Sequence, residues 1–286
     1  MGGNVEASLR AISQDLVTIT QHAHEVVQAR FPKQNRRHPL QRSFLHALLA
    51  RSHASILGIN ALALADMPIE GLAMLLVSID PIARGILEDV VTLLYMSQDF
   101  KRRLFKYTRA GWASGAIRAA RLEQLWKDEK DPRRIEYLKR ARQILDRERR
   151  VAMPSPAEIA DPKRAARWLN PGKLARELTG DAERVWKEFE PHYGELSECT
   201  HLGYMGAAIV SSLCLQEAGE AHTNAVKGFR LQRVPLAYCF YASLLGETFD
   251  VCGSARDPLL NKVWLGLLQY RDDFKALAAW RYGVKK

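Results

Sequence analysis

Residues 101–126 read KRRLFKYTRAGWASGAIRAARLEQLW, and the spacing of their large apolar residues decides the fold class. On a helical wheel Phe105, Trp112, Ala116, Ala119, Leu122 and Trp126 fall on one arc, and Arg102, Arg103, Lys106, Arg109, Arg118 and Arg121 fall on the other. The same three-and-four recurrence runs through most of the chain. Alternating strand patterns and Asn-Gly or Asp-Gly hairpin signals are missing. The fold is therefore expected to be all-α, a single helical domain over 1–286 of about eight to ten helices with a protruding basic hairpin.

The hairpin holds the charge. Residues 101–150 contain 17 Lys+Arg and 7 Asp+Glu, whereas the other 236 residues contain 25 of each, so the whole net charge of +10 belongs to this segment. After Asp131-Pro132 a second charged helix is expected to bury Ile135, Leu138, Ala141 and Leu145 and to carry the acid-first pairs Glu136/Arg140 and Asp146/Arg150.

Elsewhere the helix boundaries are read from punctuation. A first helix is expected over Val5–Arg30, a loop over Phe31–Pro39 and a second helix to about Ala65. Asp80-Pro81 pairs an N-cap residue with a proline at the first helical position, so a helix restarts or kinks there and runs to about Gln98. Ser155-Pro156-Ala157-Glu158 is a capping box. Asp181 caps a helix to about Glu190, and a long, central, buried helix follows from His192 to about Glu220. The C-terminal third adds a helix over Pro235–Val251 and another from Asp257-Pro258 to about Arg281.

Composition removes several classes. The 47% hydrophobic and 26% charged residues are those of a globular chain. The longest apolar region, Ala54–Ile79, is interrupted by Asp66, Pro68 and Glu70, so no membrane span is expected, and the opening residues have no signal-peptide core. A cytoplasmic location is the expectation. The four cysteines are widely spaced without a C-x-x-C pair and read as reduced residues of the interior. His22 and His24 point to different sides of a helix, and His46 and His53 lack a carboxylate at ligand spacing, so neither a metal nor another cofactor is expected.

Chemistry is sought in two clusters. Tyr193, Ser197 and His201 are four and eight apart and share one helical face, which Tyr204 continues. His201 is expected at the inner end of a pocket; taken alone it reads rather as a core histidine bonded to an acceptor. Arg84 and Glu88 lie one turn apart and alone read as a solvated ion pair.

Together, the Arg-x3-Glu helix at Arg84–Glu88 and the Tyr-x2-Leu-Ser-x3-His helix at Tyr193–His201 resemble a broad family of bacterial all-helical proteins whose activity is not established. The pattern is also distantly similar to the HEPN superfamily of nucleotide-binding and RNA-cleaving proteins of toxin and phage-defence systems. The resemblance covers roughly residues 40–220. It departs at the ribonuclease hallmark, since no arginine here precedes a histidine with four to six residues between them. The resemblance implies a site assembled across helices from Arg84, Glu88, Ser197 and His201, with Tyr193 beside them.

RNA is a candidate partner, met by the outward cations Arg102, Arg103, Lys106, Arg109, Arg118 and Arg121; the alternative is a merely solvated charged hairpin whose interleaved acids dilute the field, and a homodimer is left open. Two functions follow: a metal-independent RNase-like or nucleic-acid-directed protein of a toxin or phage-defence system, or a non-catalytic helical module that binds a protein or nucleic-acid partner.

Overall fold

The computed structural model describes residues 2–32, 39–63, 68–166, 170–201, 203–214 and 219–285. Its described residues are all-α, without a strand. In chain order the helices are α1 (Gly2–Arg30), α2 (Pro39–Ala63), α3 (Ile69–Leu76), α4 (Ile79–Ser97), α5 (Phe100–Leu125), α6 (Pro132–Ala152), α7 (Pro156–Ala160), α8 (Pro171–Ala175), α9 (Gly180–Thr200), α10 (Tyr204–Cys214), α11 (Glu220–Cys252), α12 (Pro258–Leu267) and α13 (Lys275–Tyr282), with short 3-10 turns at Pro162–Arg164 and Asp272–Phe274. There are more helices than the expected eight to ten, because the expected 192–220 and 258–281 helices are each interrupted among the described residues and the short helices α3, α7 and α8 add to the count. The chain divides into two compact units, one of residues 98–174 and one of the flanking segments 1–97 and 175–286.

In the larger unit the central element is α11. All residues from Arg233 to Phe249 are buried, so this part of the helix is enclosed on every side, its charged Arg233 and Glu247 included. It was expected to begin at Pro235; it runs through that proline from Glu220, because packing on all sides outweighs one lost backbone bond. Helix α4 lies against α11, α9 and α2, burying Ile86, Leu87, Val90, Val91 and Leu94. Helix α1 packs on α2, α11 and α12, where Thr20 meets the Tyr241 hydroxyl at 2.7 Å.

Asp80 does not cap α4. The helix starts at Ile79, and the Asp80 side chain turns inward to Arg233. Likewise α9 continues through Pro191, and its N-cap is Thr179, with Asp181 in the first turn. Asp257 does cap α12, accepting the Leu259 N–H at 2.8 Å, but the helix expected to reach Arg281 breaks into α12, a 3-10 turn and α13. The loop expected over 31–39 and the end of the expected 192–220 helix fall partly outside the described residues.

In the smaller unit α5 and α6 pack side by side. Asp99 caps α5, accepting from Arg102 N, and Asp131 caps α6, accepting from Arg133 N at 2.9 Å. The capping box is present, with Ser155 and Glu158 exchanging their side-chain and backbone bonds. The core is small: Trp112, Ala113 and Ala152, with Leu145 and Ile159 against them. Leu145 lies over Gly115, where a Cβ would come within 2.9 Å of it. Ile135 is a correction, since it is 51% exposed rather than buried. Leu138, Ala141 and Leu145, expected on the same buried face, are half-buried.

Candidate functional site

Arg84 is the hub of the site. One turn into α4, it is 15% exposed and carries three contacts. Nε donates to Glu88 Oε1 at 3.1 Å, Nη1 donates to His201 Nε2 at 2.9 Å, and Nη2 reaches the Tyr193 hydroxyl at 3.4 Å. The guanidinium also lies 5.2 Å from the centre of the Tyr193 ring, and Tyr193 is in turn held edge-on by Trp186. A guanidinium only donates, so Nε2 of His201 is the acceptor in this arrangement and the ring proton sits on Nδ1.

Arg84, Glu88, Tyr193 and His201 are thus brought together from two helices that are far apart in sequence. Ser197 lies on α9 between Tyr193 and His201. Its carbonyl accepts the His201 N–H at 3.0 Å, while its hydroxyl makes no hydrogen bond among the described residues. The Tyr204 side chain lies outside the described residues.

His201 is not at the inner end of a pocket, and the long helix expected around it does not exist. Helix α9 stops at Thr200 with His201 as its exposed C-cap, and α10 begins at Tyr204. Gly203 and Gly206 close this turn. Gly203 N–H bonds to Glu198 O at 2.9 Å, and a Cβ on Gly206 would lie 2.5 Å from that carbonyl oxygen and 2.8 Å from Cys199 Cα. The chain therefore folds back against α9 and leaves the imidazole at the rim, over Arg84.

One turn before Arg84, a second polar group joins α4, α9 and α11. Asp80 and Arg233, with side chains only 2% and 5% exposed, face each other at 3.2 Å, off the alignment of a hydrogen bond, and Arg233 Nη2 donates to Glu195 at 2.5 Å. Burial pushes the Asp80 carboxyl above its ordinary range against the opposing pull of Arg233. Glu195 is held down to about 2 by the His192 ring 3.9 Å away and by its hydrogen bond from Arg233. The Cys199 thiol, beside Asp80, is pushed up to about 12 by burial and by its bond to that carboxylate. His192 is further held between Arg271 at 3.2 Å and Asp273 at 3.4 Å.

These residues were missed in the sequence. Asp80 stands four before Arg84, and Glu195 and Cys199 lie on the Tyr-Ser-His helix, so spacing could have flagged them. Arg233 had a weaker signal, a lone cation at the head of the apolar run Val234–Ala237.

The histidines set aside as metal ligands pair instead. His24 and His46 stack with Nδ1 atoms 2.7 Å apart, and His22 bonds Asp257 at 2.7 Å. Burial, and then the nearby His53, lowers the His24 pKa. Among the described residues no three His, Cys, Asp or Glu side chains meet as metal ligands, and no helix is long and apolar enough to cross a membrane.

Of the six cations expected to meet RNA, Arg102, Lys106, Arg118 and Arg121 are exposed. Arg103 is half-buried and donates to Gln98, and Arg109 is tied down between Glu158 at 2.9 Å and the Met153 carbonyl. Arg109 is therefore a strut of the smaller unit rather than an outward cation. Its Nε is buried without a hydrogen-bond partner. Of the acid-first pairs, Glu136/Arg140 forms at 2.8 Å, and Asp146/Arg150 is not joined among the described residues.

No family model, no curated protein and no solved structure matches this chain.

Proposed function

We propose that Arg84 and His201 form a phosphate-binding, acid–base site directed at RNA, in a protein of the toxin or phage-defence kind. The observation that carries this reading is the 2.9 Å contact between an anion-seeking guanidinium and the Nε2 lone pair of an exposed imidazole. Two groups needed at a phosphodiester are then already side by side.

A phosphate oxygen competes with His201 for Nη1 of Arg84. Once displaced, Nε2 takes the proton of a ribose 2′-hydroxyl as the oxygen attacks phosphorus, and the 5′-oxygen leaves as a hydroxyl, taking a proton from water, to give a 2′,3′-cyclic phosphate. Arg84 faces the charge that builds on the non-bridging oxygens. Glu88 and Tyr193 keep its fork aimed, and Ser197 offers a hydroxyl beside the path. The exposed cations Arg102, Lys106, Arg118 and Arg121 supply sequence-independent phosphate contacts.

A second reading has its own support. Nε, Nη1 and Nη2 of Arg84 each already have a partner within the protein, as in a non-catalytic pin between α4 and α9. Induced expression in a bacterial host distinguishes the two. The catalytic reading expects growth arrest by the wild type and normal growth with a folded His201→Ala variant. Equal arrest by both, or none by the wild type, leaves the pin.

A further inference from the structure

Large apolar side chains are unevenly exposed in this protein. Of the nine exposed ones among the described residues, seven lie in residues 98–174, and Tyr137, Ile144 and Val151 stand seven apart on α6, 52%, 51% and 41% exposed. Seven residues are nearly two turns, so these three form one straight row about 21 Å long. It is distinct from the row of Leu138 and Leu145 toward α5.

The charge beside the row is mainly basic, with Glu148, four residues after Ile144 and three before Val151, the exception. Helix α6 carries eight Arg and Lys, all exposed, against three acids. Arg140 and Arg147 follow Tyr137 and Ile144 by three residues and flank the row. Arg140 is shared with Glu136, whereas Arg133, Lys139, Arg147, Arg149 and Arg150 have no acidic partner among the described residues.

We propose that this face of α6 docks an acidic amphipathic helix of a protein partner. An apolar residue every seven, bordered by charges, is the pattern of a helix–helix seam. The excess of arginine sets the partner's sign and opposes pairing of α6 with its own copy. Nucleic acid would meet the arginines but give Ile144 and Val151 no apolar surface to bury. A membrane surface is matched by a broad apolar face, not by a row one residue wide with arginines alongside. The inference does not depend on the site at Arg84.

The test uses the full chain and a fluorescent peptide of three heptads with leucine at the seam and glutamate beside it, followed by anisotropy at about 150 mM salt, where exposed charges alone are largely screened. Saturable binding is expected. It should weaken about tenfold or more in Tyr137→Ser/Ile144→Ser/Val151→Ser, and again in Arg147→Glu, corresponding to about 1.4 kcal/mol per tenfold step. The substituted side chains are exposed, so circular dichroism should match the wild type. Three outcomes overturn the proposal: no binding by the wild type; equal binding by the triple-serine variant; or the same triple-serine dependence for duplex RNA, phosphatidylserine vesicles or self-association in the ultracentrifuge.

Discussion

Replacing Arg233 by methionine should be among the most damaging single changes in the larger unit. Methionine keeps the apolar stem and removes the charge. Asp80, 2% exposed, would then be buried with only the Cys199 thiol as a partner. Glu195 also loses a donor but is 47% exposed, so water replaces it and its share of the loss is small. Breaking one side of a buried pair costs about 3–5 kcal/mol, or a Tm lowered by roughly 10 °C for a chain of this size. Neutralising both partners, with Asp80→Asn added, should recover much of the loss. The pH dependence has a definite sign. Burial raises the Asp80 carboxyl above its ordinary 3.8 and disfavours its charged form in the fold, so the penalty of Arg233→Met shrinks as the pH falls towards that carboxyl's folded value. Urea and thermal denaturation of the single and double variants, followed by circular dichroism, give the coupling. A single variant within about 1 kcal/mol of the wild type would refute the argument that the pair is buried and matched.

Three further outcomes follow from the same region. Gly206→Ala should destabilise by about 1–3 kcal/mol, because its Cβ would meet the Glu198 carbonyl at 2.5 Å, and should displace His201 enough to change its imidazole NMR resonances. Glu195, depressed from 4.5 to about 2, contributes stability that is complete above pH 4.5 and is lost as the pH falls towards 2; Glu195→Gln should flatten that part of the acid-denaturation curve. Cys199, raised to about 12, should resist iodoacetamide at pH 8 in the folded protein and react readily in urea, as titration of labelled thiols would show.

The all-α class was legible because helical periodicity is a local property repeated along the chain. Asp131, Ser155 and Asp257 were recognisable as caps for the same reason, since a cap bonds residues two or three away. Asp80 misled because its cap signature is local while its partner, Arg233, lies far along the chain and across a helix packing that no spacing encodes. The turn at His201 was missed because Gly203 and Gly206 serve close helix packing and close turns equally well, and only the fold decides between them. Arg84 and Glu88 could be placed on one helical face, and Tyr193 and His201 on another. That the two faces meet is a tertiary fact, which the resemblance implied and composition could not.

The measurement that bears most directly on the account is cleavage of a single-stranded RNA by the purified chain in the presence of a chelator, comparing wild type, His201→Ala, Arg84→Ala and Glu88→Gln at equal folded concentration. The account predicts fragments ending in 2′,3′-cyclic phosphate and a fall of about a hundredfold or more for both His201→Ala and Arg84→Ala, as for the loss of a general base or of a charge-stabilising donor. A smaller fall is predicted for Glu88→Gln. No cleavage by the wild type, or cleavage undiminished by His201→Ala, would contradict it.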